Sequence, residues 1–381
     1  MRPLFIACIV SALAACLATP SRNADALLDD GLFKPIADPP RREEIFALSP
    51  AMREYLRARV KPLAREIGAP QAIHQLVHQD LALDYDAAMT RNAAQAFDAR
   101  AGNCLSLVIL TAALAWAVDV PVHYQTVFGY DVWSRAGGIA FRSGHINAIH
   151  SGSSDRDLIG RTTGSDTLTV DFIPIESNAR TFTREISEDR LVAMYDNNRA
   201  AELLAAGEIE PAYWWARAAV KADPTFVAGY NTLGVIYRRH GDLREAERAL
   251  AAVLEREPDQ ALALGNLAGV LDAEGRAAEA HQLRVRLERI DPVPPFWFLD
   301  QGRAAMARGD YAGARELLEK ELRRMPYDDE VHFALAVVSA ELGEIGQARR
   351  QLSLALENST TRDRRGIYAA KLEHLKALEA H

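Results

Sequence analysis

From residue 193 onward the 381-residue chain repeats itself every 34 residues, and this periodicity constrains the fold more than any other feature. The set Tyr230, Leu233, Gly234, Tyr237, Gly241, Asp242, Ala246, Leu250 and Pro258 returns as Leu264, Leu267, Ala268, Leu271, Gly275, Arg276, Ala280, Arg284 and Pro292. A third copy reads Phe298, Gln301, Gly302, Ala305, Gly309, Asp310, Ala314, Leu318 and Pro326. A fourth ends on Leu352, with Thr360 where proline is due. One period upstream stand Leu203, Gly207, Ala212, Ala216 and Pro224, a degenerate first copy. The spacing predicts five units over 193–226, 227–260, 261–294, 295–328 and 329–362. A period of this length marks a stack of identical supersecondary units, each covered by the next.

The residue types fit a pair of antiparallel helices per unit. Gly or Ala at the eighth position and Ala at the twentieth let two helices approach closely. Glycine at the fifteenth ends the first helix in a left-handed cap, and proline at the thirty-second stops the second. These residues resemble the tetratricopeptide (TPR) repeat. The resemblance implies an all-α superhelical solenoid whose groove binds an extended peptide or a helix. The groove positions would be Ala228, Asn231, Val235, Arg238; Leu262, Gly265, Gly269, Asp272; Phe296, Leu299, Arg303, Met306; and Glu330, Phe333, Val337, Ala340. They form a mixed, partly apolar surface without a concentrated carboxylate clamp. Three uses are open: partner binding, bracing of the first domain, or dimerisation. Residues 363–381, with Ile367, Leu372, Leu375 and Leu378 on one face, read as a capping helix.

The N-terminus reads as an export signal. Arg2 is followed by an apolar run from Leu4 to Ala15, too short to span a bilayer. The run ends in Leu13-Ala14-Ala15-Cys16, which resembles a bacterial lipobox and implies lipidation at Cys16 after cleavage. Ala12-Leu13-Ala14 is also compatible with ordinary cleavage and secretion. The expected location is the bacterial cell envelope, lipid-anchored and facing the periplasm. Residues 17–50, rich in Pro, Asp and Ser, read as a tether. Removal of Cys8 and acylation of Cys16 would leave Cys104 alone, so no intramolecular disulfide is expected. A net charge of −8 argues against a nucleic-acid partner. No cofactor motif stands out.

Residues 51–190 show a mixed α/β pattern. Residues 85–100 are helical in pattern, and Leu105 to Trp116 is apolar on nearly every side, as a buried helix is. Gly102 and Asn103 are start signals, so Cys104 falls on the first helical turn, where unpaired N–H groups and the helix dipole favour a thiolate. Alternating strands follow over 122–128, 141–149 and 167–173, carrying His145 and Asp171. A thiol, an imidazole and a carboxylate in that order supply a nucleophile, a base and an orienting group. The stretch RAGNCLSLVILTAALAWAVDVPVHYQTV, with SGHINAI and LTVDF, resembles the transglutaminase-like superfamily of papain-type cysteine enzymes. The resemblance implies an α+β domain with Cys104 as nucleophile, His145 as base and Asp171 as orienter. It further implies hydrolysis of an amide bond in a protein or peptide, or acyl transfer. The family often carries an aromatic residue after the histidine; here Ile146-Asn147 follows. The competing reading is a scaffold lipoprotein with a degenerate enzyme domain. His74 and His78, four apart on a helix, lack an evident third metal ligand. Trp214-Trp215 reads as packing between the array and the first domain.

Overall fold

The computed structural model describes residues 24–36, 41–136, 139–151, 167–170 and 182–379. Helices dominate. In the N-terminal part, α1 (Arg42–Ile45) and α2 (Pro50–Tyr55) precede α3 (Lys61–Ile67) and α4 (Ala69–Gln75), with wide helical turns after α2 and α4. Next come β1 (Asp84–Tyr85), α5 (Ala93–Ala99), β2 (Ala101–Gly102) and α6 (Cys104–Trp116). Strands β1 and β2 pair in parallel, Asp84 with Ala101 and Tyr85 with Gly102. Four longer strands follow: β3 (Val122–Ala136), β4 (Ile139–Ser151), β5 (Thr167–Val170) and β6 (Phe182–Ile186). They form an antiparallel sheet in the order β5-β4-β3-β6.

Helix α6 is buried along nearly its whole length, from Cys104 to Ala115. This is what its uninterrupted apolar sequence requires. It shares one core with Ile73 and Val77 behind it and with Tyr124, Ile146, Ala148 and Val170 on the sheet. The alternation of Ile146 and Ala148 on β4 aims both at that core. Among the described residues the sheet is small, and the domain is carried mainly by helices.

The C-terminal part is five helix pairs and a last helix. The pairs are α7 (Glu188–Ala205) with α8 (Ile209–Ala222), α9 (Val227–His240) with α10 (Leu243–Arg256), and α11 (Ala261–Ala273) with α12 (Ala277–Ile290). Then come α13 (Trp297–Ala307) with α14 (Tyr311–Arg324), α15 (Asp329–Glu341) with α16 (Ile345–Asn358), and α17 (Arg362–Glu379). Each pair turns at a glycine in the left-handed region: Gly207, Gly241, Gly275, Gly309 and Gly343, with φ between 76° and 107°. The close approach expected at the eighth position is real at Gly234, where an added Cβ would lie 2.6 Å from Leu250 Cγ.

Four features depart from the sequence expectations. Residues 24–36 are a packed strap, with Leu27 and Phe33 only 4% exposed against the first two repeats. Their apolar anchors outweigh the tether-like composition around them. Ile45 and Phe46, also within the expected tether, belong to the N-terminal core. Helix α7 runs without a break across the expected boundary at residues 190–193: Leu191, Val192 and Tyr195 enter the N-terminal core, and Ala200 and Leu204 enter the array core. On α17 the anchors are Tyr368 and Leu372, whereas Ile367 is exposed. The Tyr368 ring stacks on Phe333 and its hydroxyl donates to Asp329, and both partners favour it over an aliphatic residue.

The array is also built in two blocks. One apolar core ends at Ala280 and a separate core begins at Phe296. Between them, Pro292, Pro294 and Pro295 cannot supply helix N–H groups. Phe296 takes a left-handed conformation, φ 64°, and α13 starts only at Trp297. Leu299 is fully buried, and Gln301, which occupies a core position of the repeat pattern, is exposed.

Candidate functional site

Cys104 is the first residue of α6 and is buried, with no disulfide among the described residues. The turn that presents it is closely held. Asn103 Oδ1 accepts from the Ser106 backbone N–H and from the Ser106 hydroxyl, both at 2.9 Å. Asn103 Nδ2 donates to Thr90 Oγ1 at 2.8 Å, and the Arg91 N–H donates to Ser106 Oγ at 2.8 Å. Gly102 is required: a Cβ there would meet Ser106 Cβ at 2.6 Å. The loop 86–91 is thereby sewn to the start of α6. Within it, buried Asp86 accepts from Arg91 at 3.0 Å.

His145 lies on β4, paired with Val127 of β3, but its side chain lies outside the described residues. Asp171 lies wholly outside them, as do Cys16 and the rest of the expected signal segment. The contact between Cys104 and these two groups is therefore not described. Asn147, two residues past His145, is buried, and its Oδ1 has no hydrogen-bond partner among the described residues. Gln125 stands opposite Asn147 on β3. His123, on β3, is half exposed and contacts Glu185 Oε1 through Nδ1 at 2.9 Å. His74 and His78 rings are 4.6 Å apart. Among the described residues no group of three metal-ligating side chains occurs.

Sequence reasoning did not find the way the array holds the loop beside Cys104. The Thr90 N–H donates to Glu202 Oε1 on α7 at 2.7 Å, and Arg199 donates to the other Glu202 oxygen. Burial pushes the Glu202 carboxyl above its ordinary value, and the bonds from Thr90 and Arg199 pull against that. From the other end of the array, the Ala87 N–H donates to Thr360 O at 2.7 Å. Arg362 reaches Asp84, and Arg365 reaches Tyr85 O. Thr360 is the position where the repeat pattern lacks its proline, the one sequence signal of this contact.

Several of the expected groove positions are engaged from within. Arg135, at the end of β3, donates to Asp300 at 2.6 Å, pairs with Glu330 at 3.6 Å and lies over the Phe296 ring. Burial pushes the Glu330 carboxyl up, but Arg303, Arg364 and Arg135 outweigh it and hold it below its ordinary value. Leu299 is core, not groove wall. Phe333 is stacked against Tyr368, Asn231 accepts from Asn266, and Arg284 pairs with Asp272. Trp215 does face the N-terminal domain, as its place in the sequence suggested, packing near Tyr195. Trp214 instead donates to Lys34 O of the strap.

A model of the tetratricopeptide repeat family matches residues 237–297 and 305–366. The array consists of TPR repeats. A TPR repeat-containing protein of Pseudomonas aeruginosa is 30% identical over 146 residues, covering 38% of this chain and 23% of that protein. The cellulose synthase 1 operon protein C of Komagataeibacter xylinus is 28% identical over 165 residues, covering 42% of this chain and 12% of that protein. The chain thus spans less than a quarter of the length of either relative. Among solved structures, a thermophilic TPR protein of Thermus thermophilus aligns with 47% of this chain and 98% of its own, at 20% identity and TM-score 0.29. The pilF protein of Pseudomonas aeruginosa aligns with 50% of this chain and 94% of its own, at 20% identity and TM-score 0.28. TPR proteins generally bind protein partners, and these matches bear on the array.

Proposed function

We propose that this protein is a TPR scaffold of the bacterial cell envelope, anchored through a lipid on Cys16. On this reading it binds a protein partner through the array and holds its own transglutaminase-like N-terminal domain against the inner face. The observation that carries the reading is the docking of Arg135 between Phe296, Asp300 and Glu330, among the repeats that the family model matches. An array already engaged at several points with its own first domain acts as a frame. Surfaces away from those contacts are left for a protein partner.

The second reading is a thiol hydrolase or acyl transferase with Cys104 as nucleophile, His145 as base and Asp171 as orienter. It is favoured by the place of Cys104 at the start of a buried helix that packs on the strand bearing His145. Replacement of Cys104 by Ala in the native host separates the two. A scaffold keeps its cellular function and its bound partner with Cys104→Ala, whereas a thiol enzyme loses function while still binding. Loss of function in Cys104→Ala, repeated in His145→Ala with both proteins folded, overturns the scaffold reading.

A further inference from the structure

Residues 24–36 meet the first two repeats along α8 and the end of α9. Phe33 stacks on Tyr213 with ring centroids 3.9 Å apart and planes 4° from parallel. Leu27 is buried in the same apolar core. Between these anchors, Asp30 Oδ1 accepts from the Tyr213 hydroxyl and from Arg217 Nε, both at 2.7 Å. The array also reads the strap's backbone. Tyr237 Oη accepts from the Asp29 N–H at 2.9 Å and donates to Leu27 O at 3.0 Å. Trp214 Nε1 donates to Lys34 O, and the Lys34 N–H donates to Glu210, each at 2.7 Å.

Two short 3₁₀ turns leave the strap few hydrogen bonds of its own, so its peptide groups depend on those the array provides. Two apolar anchors, one carboxylate and paired main-chain contacts are the ingredients of peptide recognition. We infer that this surface of the first two repeats is a peptide-recognition site. It accepts in trans a segment of the form Leu-x2-Asp-x2-Phe, the form that Leu27, Asp30 and Phe33 now present in cis. Covalent linkage gives the strap an effective concentration on the order of millimolar, so a free peptide enters only when the strap is weakened.

The test uses the full chain with Leu27→Ala and Phe33→Ala together, and a fluorescein-labelled peptide of residues 24–36 followed by anisotropy. The double variant is expected to bind the peptide saturably, at least about tenfold more tightly than the wild-type chain. Asp30→Ala in the peptide is expected to weaken binding about tenfold, as loss of charge-assisted bonds does. A folded double variant that binds no more peptide than the wild type overturns the inference. So does binding indifferent to Asp30→Ala and Phe33→Ala in the peptide. If the double variant does not fold, Asp30→Ala in the chain keeps both apolar anchors and weakens the strap alone. Equal peptide binding by that variant and the wild type then overturns the inference.

Discussion

The Arg135 guanidinium donates to the Asp300 carboxylate across 2.6 Å, joining the end of β3 to the first helix of the fourth repeat. The same side chain lies over the Phe296 ring and pairs with Glu330. Thr90 meets Glu202 in the first block of repeats, and Ala87 meets Thr360 beyond the last pair. The N-terminal domain thus spans the proline-marked break between the two blocks.

Arg135→Ala tests that bridge. Ion pairs with partly exposed partners contribute about 1 kcal/mol or less, and an exposed cation–π contact about as much again. Global stability is therefore expected to fall by only about 1–2 kcal/mol. Local opening is the larger effect. Hydrogen exchange should quicken in 296–306 and in β3, with 227–256 unchanged. Uniform protection like that of the wild type would show that the bridge contributes nothing.

Asp196 gives a pH prediction. Its carboxyl is 3% exposed on α7, and burial alone pushes it from 3.8 up to about 8. The fold therefore binds a proton more tightly than the unfolded chain does. Stability from this group is complete below pH 3.8 and is lost as pH rises to about 8. At ~1.4 kcal/mol per pKa unit, a shift of this size caps the effect near 6 kcal/mol. Asp196→Asn is neutral throughout. Urea unfolding should show it more stable than wild type at pH 8, by about 2 kcal/mol or more, with little difference at pH 4. Equal pH slopes for both proteins would refute a buried, proton-binding carboxyl.

Asn103→Ala removes the cap that presents Cys104. A lost cap costs about 1 kcal/mol, and here Thr90 also loses its partner, so about 2 kcal/mol is expected. Asn92→Ala provides the comparison, because its capping box with Gln95 is exposed. It should cost about 1 kcal/mol. Thermal unfolding of both variants ranks them. Equal losses would mean that the link from Asn103 to Thr90 adds nothing.

What the sequence made legible was whatever recurs. Gly241 and its equivalents can be read because each turn repeats the same demand for positive φ, and Gly234 because Leu250 leaves no room for a Cβ. Single events were harder to read. Leu27 and Phe33 occur once, in a segment whose composition matches a linker, so the strap left no periodic trace. The start of α13 at Trp297 depends on Phe296 going left-handed after two prolines, which a repeat template does not register. Ile367 and Tyr368 sit side by side on α17, and only Asp329 and Phe333, well upstream, decide between them. Cys104 at the start of α6 followed from Asn103 and the apolar run after it. Its pairing with His145 and Asp171 remains a sequence-level proposal.

Glu321 compensates for the missing cap of α13. Phe296 supplies no side-chain cap to α13. Instead the fully buried Glu321 Oε2 accepts from the Phe298 N–H at 2.8 Å and the Leu299 N–H at 3.2 Å, while Arg324 donates to its other oxygen. A carboxylate at a helix N-terminus is favoured by the unpaired N–H groups there. Glu321→Ala leaves those donors buried and unpaired, at a cost of about 2–4 kcal/mol. Glu321→Gln keeps one acceptor and should recover about half of that loss. Because the core of this block is separate from that of the first three repeats, the damage should be local. Hydrogen exchange is expected to rise across 297–324 and to stay near wild type in 227–256. Loosening spread evenly over both blocks would instead mean that the array unfolds as one unit, despite the break at Pro294 and Pro295.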